Sequence, residues 1–167
     1  MDLIYDARDV ANFLLDAADG SGIALTQISL QKTVFYSHGW YLVLKDRPLI
    51  SNEVEGWRYG PVIRVLRDSF RKFGRRGITE RAQFYDPIED KTFYRPYVIA
   101  ERDQDFLRQM LSFYSKIDPF MLVAMTHKEG SPWEQIIASG EANLGRVINN
   151  EIIHSYFANL LTNRGKI

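Results

Sequence analysis

The chain has 167 residues, of which 46% are hydrophobic and 25% charged, with Lys plus Arg balancing Asp plus Glu at 21 each. That is the composition and length of one globular domain, residues 1–167, and it excludes intrinsic disorder, low complexity and collagen-like repeats. Zero net charge gives no bulk drive toward nucleic acid or membrane, and the lack of cysteine excludes a disulfide scaffold, thiolate metal ligation and cysteine nucleophiles.

The N-terminus, Met1-Asp2-Leu3-Ile4-Tyr5-Asp6, is acidic and lacks the basic start of a signal peptide. Apolar runs are short, the longest being the six residues Phe120–Met125, far short of the roughly 20 that a membrane span needs. Cytoplasmic localisation without membrane contact is the expectation. Residues 6–19 then read as an amphipathic helix: Asp6 is the N-cap, Val10, Phe13, Leu14, Ala17 and Ala18 form one stripe, and Gly20-Ser21-Gly22 stops it. A second helix, from about Ser29 to Lys45, is apolar nearly all round and is therefore the central, buried one. Gly39 inside it calls for a compensating close approach, expected from another backbone.

Asp46-Arg47-Pro48 breaks that helix, and Leu49–Tyr59 reads as one short strand. Gly60-Pro61 looks like a helix start, with Pro61 at the first helical position of a helix reaching Phe73. Residues 84–99 read as a hairpin covering the helices. Further helices are predicted from about Asp103 to Ser115, Pro119 to His127 and Asn149 to Leu161, with Ser131-Pro132-Trp133-Glu134 as a capping box between the last two. The fold class is mainly α, one compact helical domain with a small antiparallel β element built from about residues 48–59 and 84–99. Val10, Phe13, Leu30, Tyr41, Val65, Phe70, Leu107 and Ile153 are its expected core.

No phosphate loop, nucleophile elbow or short-range metal spacing occurs around His38, His127 and His154. No catalytic, metal or cofactor-binding residue is therefore assigned. The acid pairs Glu53/Glu55 and Asp103/Asp105 read as solvated. The marked feature is charge: Arg64, Arg67, Arg71, Lys72, Arg75 and Arg76 stand against one acid, Asp68, with Arg64, Arg67 and Arg71 on one helix face. This ridge is either a solvated face balanced by Asp2, Asp6, Asp9, Asp16 and Asp19, or a protein-contact surface, with nucleic acid the least supported partner.

Leu30-Gln31-Lys32, Tyr36, Gly39-Trp40, Trp57 followed by Tyr59-Gly60-Pro61-Val62, Thr126-His127 and Pro132-Trp133, in this order and spacing, resemble the Panacea antitoxin domain of SocA-like or GepA-like phage-associated proteins. The resemblance spans about residues 5–160. It implies a mostly helical, non-enzymatic domain without cofactor that neutralises a cognate toxin by direct protein contact. The alternatives are an adaptor delivering the toxin to a protease and a nucleic-acid-binding regulator. Some relatives carry an extra DNA-binding segment, for which no room is expected here. Both a homo-oligomer and a toxin–antitoxin hetero-oligomer are compatible with the resemblance. The motif residues, named above, are read as scaffold: the tryptophans as buried bulk, Tyr59-Gly60-Pro61 as a tight lead into a helix, His127 as a buried polar lock. Toxin contact is assigned to Arg64, Arg67, Arg71, Arg75 and Arg76, and to Phe84 and Tyr85 of the aromatic segment.

Overall fold

The second helix has no solvent-facing side over most of its length. A computed structural model, which describes residues 3–138 and 145–164, places α1 at Ala7–Gly20 and α2 at Gln27–Lys45. Every residue from Ser29 to Leu42 is buried. The Asp6 carboxylate caps α1 by accepting the Arg8 N–H at 2.8 Å. The start of α2 lies two residues earlier than its apolar pattern indicates, because the Thr26 hydroxyl caps it through the Ser29 N–H at 3.2 Å. Asp46, at φ 53°, ends it in the left-handed region.

The remaining elements wrap α2. They are β1 (Val54–Trp57), β2 (Gly60–Val62), α3 (Arg64–Phe70) with a 3-10 turn at Arg71–Phe73, β3 (Phe84–Asp86), β4 (Lys91–Phe93), α4 (Glu101–Tyr114), α5 (Pro119–Thr126), α6 (Pro132–Ala138), β5 (Arg146–Ile148) and α7 (Asn150–Asn163). Helices α1, α3, α4, α5 and α7 and strand β2 all contact α2. The fold is mainly α, as expected. Of the eight expected core residues seven are buried, and Val65 is half-buried against the same cluster. Asp2, counted among the first helix's acids, lies outside the described residues.

The β structure departs from expectation in three ways. Residues 48–59 and 84–99 do not pair with each other: β3 pairs only with β4, and β1 pairs with β2 and β5, in the order β2-β1-β5. Pro61 is not the start of a helix but the middle of edge strand β2, opposite Gly56. Proline's fixed φ suits an edge strand as well as a helix start, and an edge can spare its N–H. The intervening Arg58-Tyr59 is a two-residue hairpin loop, closed by Gly60 at φ +100°. Strand β5 falls in a stretch to which the sequence pattern assigns nothing, since three residues carry no period.

The acids read as solvated divide. Asp103 is 1% exposed and accepts the hydroxyls of Tyr5 at 2.6 Å and Tyr41 at 3.0 Å, with Arg47 at 3.9 Å. Burial and these bonds push both phenol pKa values up. Glu55 is also buried, receiving the Trp57 indole N–H at 2.8 Å and both arms of Arg64 at 3.1 Å. Ser131 caps α6 as expected, but the Glu134 carboxylate accepts from Gly130 N–H instead of from the cap residue.

Gly39 is compensated by a side chain, not a backbone: a Cβ there would overlap the Phe157 ring of α7. That ring also packs edge-on against Phe35, Tyr36 and Trp40. A Gly→Ala change in a helix ordinarily stabilises by about 1 kcal/mol. Here Gly39→Ala is expected to destabilise by about 1–3 kcal/mol, as overpacked cores do, read by urea unfolding.

Candidate functional site

Lys32 sits on the most enclosed turn of α2 with 2% of its surface exposed. Its ammonium donates to the Pro61 carbonyl at 2.9 Å, and no carboxylate lies within ion-pairing distance among the described residues. Beside it, Gln31 holds both sides of the Ile63 peptide, donating to its carbonyl at 2.9 Å and accepting its N–H at 3.0 Å. These two side chains pin the β2–α3 corner to α2. Gly60 is required there twice over, by its positive φ and because an added Cβ would stand 3.0 Å from the Lys32 nitrogen and closer to the Thr126 hydroxyl.

Burial lowers the Lys32 pKa to about 7. His127, at the C-cap of α5, is lowered as well, first by burial and then by the Lys32 charge. Its ring lies 3.9 Å from that of Trp133, whose indole donates to the Trp57 carbonyl at 2.6 Å. The His127 Nε2 is buried without a hydrogen-bond partner. So Gln31, Lys32, Trp57, Gly60, Pro61, Thr126, His127 and Trp133 converge from α2, the β1–β2 hairpin, α5 and α6. Leu30, Tyr36, Gly39 and Trp40 face elsewhere, toward the core. Tyr36 stacks on Tyr114 at 4.6 Å, and the Trp40 indole donates to the Tyr114 hydroxyl at 2.7 Å. Pro132 is buried, while Trp57 and Trp133 are half-buried.

Two cavities open on this corner. One, of about 260 Å³, is lined by Gln27, Ile28, Gln31, Lys32, Trp57, Arg58, Tyr59, Val62 and Arg67. The other, of about 420 Å³, is apolar and lies between Ile28 and Tyr59 on one side and Pro119, Phe120 and Val123 on the other, with Arg75 at its edge. Tyr59 separates them and is 59% exposed, which corrects its assignment to the scaffold: a hairpin-loop side chain points away from the sheet it closes. Arg58, Ile28 and Phe120 escape sequence reasoning. A lone exposed aromatic in a short helix leaves no periodic signal.

The basic ridge is partly neutralised by its own neighbourhood. Arg64 forks onto Glu55, Arg67 pairs with Asp68 at 3.2 Å while lying over the Trp57 ring at 4.8 Å, and Lys72 pairs with Glu80. The acids of α1 are engaged elsewhere: Asp6 with Arg8, Asp9 with Arg95, Asp16 and Asp19 with Arg81. They do not balance the ridge. Arg71, Arg75 and Arg76 are exposed and reach no acid among the described residues. Phe84 is not a contact residue, being 6% exposed and sandwiched between the guanidinium groups of Arg8 at 4.1 Å and Arg95 at 3.6 Å. Tyr85 is exposed on the hairpin and donates to Asp90.

His38 is a structural histidine. Its Nε2 bonds the Asn150 side chain at 2.8 Å, and its Nδ1 accepts the Ile50 N–H at 3.5 Å. Among the described residues no helix is long and apolar enough to cross a membrane, and no group of three acids or histidines could hold a metal.

The residues of this corner lie within the stretch that matches known proteins. The family described as Antitoxin SocA-like, Panacea domain, matches residues 30–134, from Leu30 to Glu134. The chain belongs to the SocA-like Panacea family. It is 36% identical over 143 residues to Antitoxin SocA of Caulobacter vibrioides (strain NA1000 / CB15N), an alignment covering 84% of this chain and 74% of that protein. No solved structure matches it. The family match begins on α2 and ends on α6.

A cation whose pKa is lowered on folding opposes folding where it must stay charged. Between pH 7 and 10.5 the unfolded chain keeps the Lys32 proton and the native chain gives it up, so stability rises with pH across that window. Lys32→Met lacks this dependence. Its stability advantage over the wild type is expected to shrink by about 1.4 kcal/mol per pH unit, measured by denaturant unfolding between neutral and alkaline pH.

Proposed function

We propose that this protein is an antitoxin that neutralises a cognate toxin by forming a stoichiometric protein–protein complex with it, in the cytoplasm and without turnover of its own. The observation that carries the reading is the relationship to Antitoxin SocA over most of both chains. The surface around Tyr59 supports it. Exposed Tyr and Phe, a Trp edge and several arginines on one face are the residue types that dominate binding energy at protein interfaces. The ridge continues this face, since Arg67 lines one cavity and Arg75 the other. Arg71 and Arg76 extend the positive field toward an acidic partner surface, and Arg64 is its Glu55-held end. The assembly is a toxin–antitoxin hetero-oligomer.

Purified protein added to purified toxin in the absence of protease tests this. Inhibition that saturates near equimolar ratio is expected. Inhibition that appears only when a protease is added makes the protein an adaptor, and turnover of a substrate by the protein alone makes it an enzyme. The ridge has its own test. Exposed arginines contribute about 0–1 kcal/mol each to folding, so Arg71→Glu with Arg75→Glu leaves the melting temperature nearly unchanged. The same reversal sets like charges against an acidic partner and is expected to lower toxin affinity by about tenfold or more. Full rescue of growth by the folded double variant would make the outer ridge a solvated face.

A further inference from the structure

We propose that the cavity beside Lys32 is an anchor socket for one Asp or Glu side chain of the toxin, and that the apolar groove across Tyr59 takes the residues next to it in the toxin chain. The inference rests on the proposed direct contact and names its chemistry.

An ammonium offers three donors, and the fold supplies Lys32 with one acceptor, the Pro61 carbonyl. Burial alone brings the free Lys32 close to neutrality at pH 7; a carboxylate brought against it favours the protonated form, and the pair takes up a proton from solvent as it forms. Asp103 shows how the same fold treats a charge that it closes off: two phenols and an arginine surround it. Lys32 instead borders an open cavity. Gln27, in the same wall, has a buried side-chain oxygen with no partner. An incoming peptide segment brings both missing groups, a carboxylate for the ammonium and a backbone N–H for the Gln27 oxygen.

Size and charge select the occupant. Pockets for small-molecule ligands run to about 300–1,000 Å³; this one, at about 260 Å³, lies just below that range and is large enough to admit a carboxylate side chain. No acidic residue lines either cavity, while Arg58 and Arg67 rim the first and Arg75 the second. Arg58 lies over the Tyr59 ring and forms no ion pair among the described residues. The rim therefore draws in an acid and the socket desolvates it. The adjoining groove, with Phe120 67% exposed, buries an apolar neighbour of that acid. An acidic residue beside a hydrophobic one in the toxin is the predicted epitope.

The experiment is calorimetric titration of the toxin into the wild type, Lys32→Met and Arg58→Glu with Arg67→Glu, each with a thermal melt. Lys32→Met keeps most of the apolar stem and removes both the ionisable group and its bond to the Pro61 carbonyl, and the melt reads what that bond contributes to the fold. Both variants are expected to lose about 30-fold or more in affinity. The rim variant, altered only at the surface, guards against a folding artefact in the first. A wild type that does not bind the toxin overturns both this inference and the proposed function. A wild type that binds, with both variants within twofold of it, overturns the socket alone. Millimolar acetate or succinate that raises the melting temperature of the wild type but not of Lys32→Met, while both variants keep the wild-type affinity for the toxin, assigns the cavity to a free carboxylate and overturns the toxin as its occupant.

Discussion

The architecture follows from one constraint, a helix that is covered on every side. From Ser29 to Leu42 every residue of α2 is buried, and five helices and a strand are laid around it. Each then takes its own apolar stripe inward. Such burial leaves the polar side chains of α2 to be satisfied inside the protein. Thr33 and Ser37 turn their hydroxyls back to the carbonyls four residues earlier, at 2.7 Å in both cases. Gln31 clamps the Ile63 peptide, and His38 bridges α7 and the segment before β1. At Gly39 the crowding is so tight that the Phe157 ring occupies the place of a side chain.

Two buried ionisable groups meet the same constraint in different ways. Asp103 ties the N-terminal segment, α2 and α4 together, and its oxygens are occupied by Tyr5 and Tyr41 with Arg47 close by. It is a closed knot. Lys32 is the opposite case. It locks the hairpin corner through a single carbonyl, keeps a lowered pKa, and faces a cavity rimmed by arginines. The run of arginines in the ridge is more conspicuous in the sequence but less free in the structure. Several of those already hold Glu55, Asp68 or a neighbouring ring.

By itself the sequence determined the helices with a strong 3.6-residue period, the buried character of α2, the chain breaks at Gly20-Ser21-Gly22 and Asp46-Arg47-Pro48, and, through its ordered motifs, the family. These are properties of local spacing and of residue identity, and both survive without coordinates. What only the tertiary structure decided is which motif residues meet and what each is for. Pro61 became a strand because an edge position opposite Gly56 was open to it. Tyr59 came out of the scaffold and Phe84 went into it, because a hairpin loop exposes one ring and two arginines cover the other. Asp103 and Glu55 turned from surface acids into buried ones once distant Tyr5, Tyr41, Trp57 and Arg64 arrived beside them. Burial and partnership are set by residues far apart in the chain, which no local pattern records; for that reason the site around Lys32 could be spelled out by the sequence and yet not be seen in it.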